Sequence, residues 1–406
     1  MLDMLIKNAS ELVTCKSSGP KIGGHLDLLD VVEGGDIGVK EGKIVAIGDL
    51  NEDARHVLNA TGKTVLPGFV DCHTHLVFSG SREDEFALKV KGTDYLQILK
   101  QGGGILSTVR CTRETTLPDL VAATHPRMGM ASDYGTTTME VKSGYGLDFS
   151  NELKMLTVVQ SLQGDERMEL VPTFLGAHVV PPEFANNRGA YVDRVIEMVD
   201  EFRAHCAVEY CDAFVEEGAF TTTEARKILT KARDRGWKLK LHAGEFSDIG
   251  GVEMGLEMGT DSIDHLDHIS EQGMKQMADK GTVGVLLPGV PFHLMTGHYA
   301  PARRMVDAGV PIALATDFNP GSCPTLSMQM IIALACRYMK LTPAEALNAS
   351  TINAAHALGR GDRIGSLEVG KQADIAILSI ANHRQLPYWF GMNLVERVIK
   401  NGRIVK

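Results

Sequence analysis

The feature that most narrows the folds open to this chain is an alternation. Short apolar runs give way to helical patterns, and the exchange repeats eight times. The apolar runs are TVLPGFVDCHTH (64–75), YGTTTMEVKSG (134–144), MELVPTFLGAH (168–178), AVEYCDAFVEEG (207–218), WKLKLHAGEF (237–246), DSIDHL (261–266), TVGVLLPG (282–289) and PIALATDFNP (311–320). Between them, NELKMLTVVQSLQ (151–163), YVDRVIEMVDEFRAH (191–205), TTEARKILTKARDR (222–235) and AEALNASTINAAHALG (344–359) carry apolar residues at helical spacing. Thr221 to Thr223 ahead of Glu224 offer a helix N-cap. Strand–helix alternation at this count predicts a (β/α)8 barrel. A barrel with insertions also accommodates 406 residues, which is long for any other single domain.

Two segments near the chain ends echo one another. VKEGKIVAIG (39–48) and VIKNGRIV (398–405) are β-rich runs interrupted by Glu-Gly and Asn-Gly, the signature of a tight hairpin. The spacing predicts a small β-sandwich domain assembled from residues 1–66 and 365–406, with the barrel occupying 67–364 between them.

Charge and cysteine usage exclude some function classes. A net charge of −10 argues against nucleic acid or an anionic membrane as partner, because phosphate binding needs clustered Lys and Arg. A small anionic substrate needs only one or two local cations. No run is long enough to span a bilayer, and MLDMLIKNAS lacks the pattern of a signal peptide. Seven scattered cysteines without a C-x-x-C pair suit a reducing compartment, so the expected location is the cytoplasm. Gly102-Gly103-Gly104 reads as a turn, since no dinucleotide or P-loop fingerprint accompanies it.

In a barrel of this kind the C-terminal strand ends face the active site. This sequence places His73 and His75 after strand one, His178 after strand three, His242 on strand five, His265 on strand six and Asp317 after strand eight. Residues two apart along a strand share a face, so His73 and His75 can grip one ion. With His242 and Asp317 they form a mixed nitrogen and oxygen set suited to Zn2+ or Fe2+. Strand four has no lysine to bridge two metals as a carbamate, so one metal is expected.

The segments DCHTHLVFSGSRE (71–83), MEVKSGYGLD (139–148), TFLGAHVVPPEF (173–184), KLHAGEFSD (240–248) and ALATDFNPGSCP (313–324) resemble the amidohydrolase superfamily, and within it the imidazolonepropionase family. The resemblance runs over nearly the whole chain. It implies hydrolysis of the ring C–N bond of 4-imidazolone-5-propanoate, giving N-formimidoyl-L-glutamate in histidine breakdown. It implies His73, His75, His242 and Asp317 as ligands of one divalent metal, and a homodimer. Arg82, Tyr145, His178, Asn319, Gly321 and Ser322 match substrate-binding positions. Glu245 matches the side chain that contacts the imidazolone ring, and His265 a histidine beside the catalytic water.

Physical chemistry accommodates these roles. Arg82 offers a planar fork for the propionate. Tyr145, in a Ser-Gly-Tyr-Gly loop with little core to join, can pack on a flat ring. The 319–322 turn offers free backbone N–H groups to a carboxylate. Glu245 can protonate the leaving nitrogen, Asp317 can take a proton from water, and His265 can stabilise the developing oxyanion. Taken singly, His178 reads equally as a capped barrel histidine, the 319–322 segment as an ordinary turn, and Glu245 as a helix-start acid. His268 reads as bland, and His293 and His298 are left without roles. Gly244 departs from the acidic residue usual in the family. Two rivals stand beside this reading: a cytosine- or guanine-type deaminase using the same metal set, and a catalytically dead barrel serving as a scaffold.

Overall fold

The computed structural model describes residues 1–93, 102–202 and 205–406. Eight strands form one sheet: β1 (Phe69–Asp71), β2 (Thr136–Lys142), β3 (Glu169–Ala177), β4 (Tyr210–Val215), β5 (Lys238–Ala243), β6 (Ser262–His265), β7 (Val283–Leu286) and β8 (Ile312–Leu314). Each pairs in parallel with the next. All eight fall within the runs singled out in the sequence.

Closure occurs just beyond the last regular pairs. Thr74 bridges Phe318, the His75 N–H donates to the Phe318 carbonyl (2.9 Å), and the Asp317 N–H donates to the His73 carbonyl (3.0 Å). Beneath this seam the Asp71 carboxylate accepts the Thr316 N–H (3.0 Å) and hydroxyl (2.6 Å). Three of the predicted site residues therefore sit on the join itself. Their positions depend on the same bonds that close the barrel.

Two sequence readings change in detail. The run 64–75 is not one barrel strand. Thr64–Pro67 pairs with Ile375–Leu378 in a separate sheet, and the barrel strand begins only at Phe69. Gly68 makes the transfer possible, since a Cβ there would lie 2.4 Å from the Thr137 side chain. The helical pattern 344–359 is two helices, Pro343–Ala349 and Ile352–Ala357. Ser350 and Thr351 bond back to the carbonyls of Ala346 and Leu347, and the Ser350 carbonyl accepts the Val70 N–H of β1 (3.0 Å). The helix Thr222–Asp234 starts with a full capping box between Thr221 and Glu224. The helix predicted over 191–205 spans Arg188–Phe202, and residues 203 and 204 of that pattern lie outside the described residues.

Both chain ends contribute to two further sheets. In a six-stranded sheet three strands from residues 375–404 lie side by side and join, at Ile375–Leu378 against Thr64–Pro67, three strands from residues 11–67; a four-stranded sheet comes from residues 2–59 alone. Their apolar faces meet: Met4, Ile6, Ile37, Val39 and Ile44 share a core with Leu12, Val65, Ile375, Ile377 and Ile399. The two echoing hairpins turn through Glu41-Gly42 and Asn401-Gly402, all four residues at positive φ (50°, 76°, 49° and 75°). The turns touch, because a Cβ on Gly402 would lie 2.8 Å from the Gly42 Cα. Among the described residues no helix is long and apolar enough to cross a membrane.

The seam gives a direct test. Thr316→Val keeps shape but strands an Asp71 oxygen and the Phe318 N–H, which donates to the Thr316 hydroxyl at 3.1 Å. The expected cost is about 1–3 kcal/mol, read as a lowered thermal midpoint. An unchanged midpoint would contradict the role assigned to the seam.

Candidate active site

His75, Arg82, Tyr145, His178, His242, Glu245, His265, Asp317, Asn319, Gly321 and Ser322 all line one cavity of about 980 Å³. His73 lies just behind it, fully buried. The residues singled out in the sequence thus converge on one place.

The histidines crowd together. The His73 ring centroid lies 4.4 Å from that of His242 and 5.5 Å from that of His75. Ligand atoms of His73, His75 and His242 lie within 4.8 Å of one another, and so do those of His73, His265 and Asp317. Asp317 Oδ1 is 3.4 Å from His73 Nε2 and 3.3 Å from His75 Nε2. Buried atoms without a hydrogen-bond partner gather here: His73 Nε2, His75 Nδ1, His242 Nε2, His265 Nδ1 and Asp317 Oδ1. Each such group costs about 1–3 kcal/mol when left unsatisfied. The ligand atoms that lie within 4.8 Å of one another are the arrangement expected around a cation, and the residues fit a divalent metal.

Behind the histidines lies a layer of charge that sequence reasoning missed. Asp264 Oδ2 is 2.6 Å from His73 Nδ1, and Asp212 Oδ2 is 2.9 Å from His242 Nδ1. Each carboxylate directs a ring so that its other nitrogen faces the cluster. Lys142 ties the layer together, with Nζ 2.7 Å from Asp212, 2.9 Å from Glu140 and 3.7 Å from Asp264. Lys240 Nζ is 3.7 Å from both Glu140 and Asp264 and donates to the Cys72 carbonyl (3.0 Å). Glu140, Asp212, Asp264 and Asp317 face two lysines, so two negative charges remain for a divalent ion to offset. Asp71, whose carboxyl burial pushes up to about 7, lies at the edge of this layer and accepts the Thr316 N–H and hydroxyl. A signal for this layer was present: Glu140 and Lys142, and Lys240 and His242, are charged or polar residues two apart, separated by the apolar Val141 and Leu241.

Two residues in the site have strained backbones. Asp317 sits at φ 50° and His265 at φ 79°, left-handed values costly for a side chain other than glycine. Gly244 also has a left-handed φ of 69°, and its carbonyl accepts the His268 N–H (2.9 Å). A glycine suits that conformation, which eases the turn that carries Glu245.

The remaining wall is built by polar anchors. Glu152 accepts the N–H groups of Gly144 (3.1 Å), Gly146 (2.7 Å) and Leu147 (2.8 Å), shaping the loop that presents Tyr145. Contrary to the expectation of little core there, Tyr145 is only 4% exposed, tilted against His178 and His75. His178 stacks on His75 and bonds the Gly144 carbonyl through Nδ1 (3.0 Å), leaving Nε2 as an acceptor. Burial, with His75 beside it, depresses its pKa to about 3, so it is neutral. Arg82 is paired with Glu85 through Nε (3.0 Å) and Nη2 (2.8 Å). The 319–322 turn departs from expectation, because Asn319 Oδ1 takes the N–H groups of Gly321 (2.8 Å) and Ser322 (2.7 Å). Those groups are not free for a ligand. Gly321 serves instead by admitting Arg82, whose Nη1 would lie 1.9 Å from a Cβ there.

Glu245 Oε2 is 3.7 Å from His265 Nε2. Burial, then the charges of Asp317, Asp267 and Glu216, hold its carboxyl well above the usual range. His268 and His298 stack on each other, with His298 Nε2 bonded to the Asp267 carbonyl (2.8 Å), and His293 stacks on Phe86.

The charge layer makes a prediction. Lys142→Met leaves three buried carboxylates short of a cation, and metal affinity should fall about 10–100-fold. Competition with a chromophoric chelator measures it. Unchanged affinity would show that the layer does not govern the histidines.

Comparison with known proteins agrees with this geometry. The family model described as "Amidohydrolase family" matches residues 64–405. An imidazolonepropionase of Alkaliphilus metalliredigens is 47% identical, covering 100% of this chain and 98% of the relative. One from Geobacillus thermodenitrificans is 45% identical over the same shares. Among solved structures, a zinc-bound adenosine deaminase from Xanthomonas campestris superposes with TM-score 0.74 at 20% identity, covering 99% of this chain and 92% of its own. A triazine hydrolase from Arthrobacter aurescens gives 0.75 at 16% identity, covering 100% and 94%. At such identities these two structures speak for the fold alone. The chain belongs to the amidohydrolase family and, within it, to the imidazolonepropionases.

Proposed function

We propose that the protein adds water across the ring C–N bond of 4-imidazolone-5-propanoate, giving N-formimidoyl-L-glutamate. The observation that carries this reading is that one cavity holds both a metal-type donor cluster and an arginine able to meet a propionate. Whole-chain identity of 43–47% to curated imidazolonepropionases supports the same substrate.

His73, His75, His242 and Asp317 would hold one divalent metal, and the donor set suits Zn2+ and Fe2+ alike. Such an ion lowers the pKa of water from 15.7 to about 7 and so supplies a nucleophile at neutral pH. Asp317, within 3.4 Å of two histidines, accepts the proton that the attacking water gives up. His265 stabilises the oxygen that gains charge at the ring carbonyl. Glu245, whose carboxyl burial raises well above the usual range, delivers a proton to the ring nitrogen as the C–N bond breaks. Arg82 binds the propionate, Tyr145 and neutral His178 pack on the ring, and Ser322 and Asn319 complete the wall.

Two substitutions separate these roles. Glu245→Gln should lower kcat by about 10²–10⁴-fold while metal content holds. Arg82→Ala should lower kcat/KM for 4-imidazolone-5-propanoate by about 10–100-fold, through KM, and leave 4-imidazolone without its side chain unaffected. Equal losses on both substrates would remove the carboxylate clamp and favour the deaminase reading.

A further inference from the structure

Glu216, the residue after β4, is 3% exposed and uses both carboxylate oxygens within the protein. Oε2 accepts the backbone N–H groups of Phe246 (2.8 Å) and Ser247 (3.2 Å). Oε1 accepts the Glu217 N–H (3.0 Å) and the Ser247 hydroxyl. Four donors thus converge on one side chain, three of them from residues immediately following Glu245. On the other flank, the Gly244 carbonyl accepts the His268 N–H (2.9 Å), anchoring the same turn to the end of β6. The backbone on both sides of Glu245 is therefore fixed from neighbouring strands.

Glu245 itself faces the cavity, 3.7 Å from His265. Its reach into the cavity is decided by the turn that carries it. We infer that Glu216 is a positioning residue, whose carboxylate sets the 245–247 backbone so that the Glu245 carboxyl meets the leaving ring nitrogen. This rests on the hydrolase reading above.

The chemistry demands a carboxylate of this length. Glutamine would turn one acceptor into a donor facing donors already in place. Aspartate is one methylene short of the Phe246 and Ser247 N–H groups. Misplacement of a reacting group by about 1 Å can cost 10²-fold in rate.

Glu216→Gln should therefore lower kcat by about 10²-fold, with KM within about threefold and metal content unchanged. The decisive readout is a double-mutant cycle on the full metal-loaded chain. In a Glu245→Gln background the same substitution should lower kcat by less than about twofold, because the group it positions has lost its proton-donor role. Loss by the same factor in both backgrounds, or no loss in the wild type, overturns the inference. Where Glu216→Gln does not accumulate as folded, metal-loaded enzyme, Ser247→Ala enters the same cycle. It removes one donor only, and should give a smaller loss in kcat that vanishes beside Glu245→Gln. Persistence of that loss beside Glu245→Gln counts equally against the inference. Wild-type turnover of 4-imidazolone-5-propanoate is measured alongside: its absence defeats the hydrolase reading, whereas its presence with an additive cycle defeats the positioning role alone.

Discussion

The structure depends first on the balance of charge buried at the top of the barrel. Glu140, Asp212 and Asp264 are fully buried with Lys142 and Lys240. Removing such ions from water costs several kcal/mol each, and only close pairing offsets that cost. The pairing here does more than neutralise. Asp264 and Asp212 each hold one ring nitrogen of His73 and His242, so the opposite nitrogens converge without searching rotamers. The lysines hold the carboxylates in turn. A net deficit of positive charge then makes the cluster a natural seat for a dication.

Barrel closure and chemistry share the same residues. The seam between the segments after β1 and β8 is made by the backbones of His73, His75, Asp317 and Phe318. Asp317 has a left-handed backbone, and its N–H is bonded to the His73 carbonyl across the seam. A strained conformation persists only where its surroundings fix it, and here closure of the barrel does the fixing. The sandwich built from both chain ends adds a second constraint, since its strand Thr64–Pro67 leads through Gly68 directly into β1.

Most of the fold was legible in the sequence, because strand and helix periodicities differ and the strand-end histidines stand out against apolar runs. The two hairpins were legible because Glu-Gly and Asn-Gly accept positive φ. What escaped was set by tertiary contact. Local pattern reads 64–75 as one extended run, although the domain boundary expected at 66/67 lies beside Gly68; the change of sheet there depends on close approach to the Thr137 side chain, 2.4 Å from where a Cβ would lie. The break at Ser350 depends on a bond to β1, far off in sequence. The turn at 319–322 was misread because Asn319 satisfies its own neighbours, an outcome that turn composition leaves open. Lys142 and Asp212 were overlooked singly; their meaning comes from the partners that three different strands bring to them.

The most direct test of the account is metal removal and restoration during ultraviolet monitoring of 4-imidazolone-5-propanoate loss, with product identified. Chelation should abolish turnover, and about one equivalent of Zn2+ or Fe2+ per chain should restore it with N-formimidoyl-L-glutamate as product. Turnover persisting in the fully metal-free enzyme, or release of ammonia in place of ring opening, would contradict it.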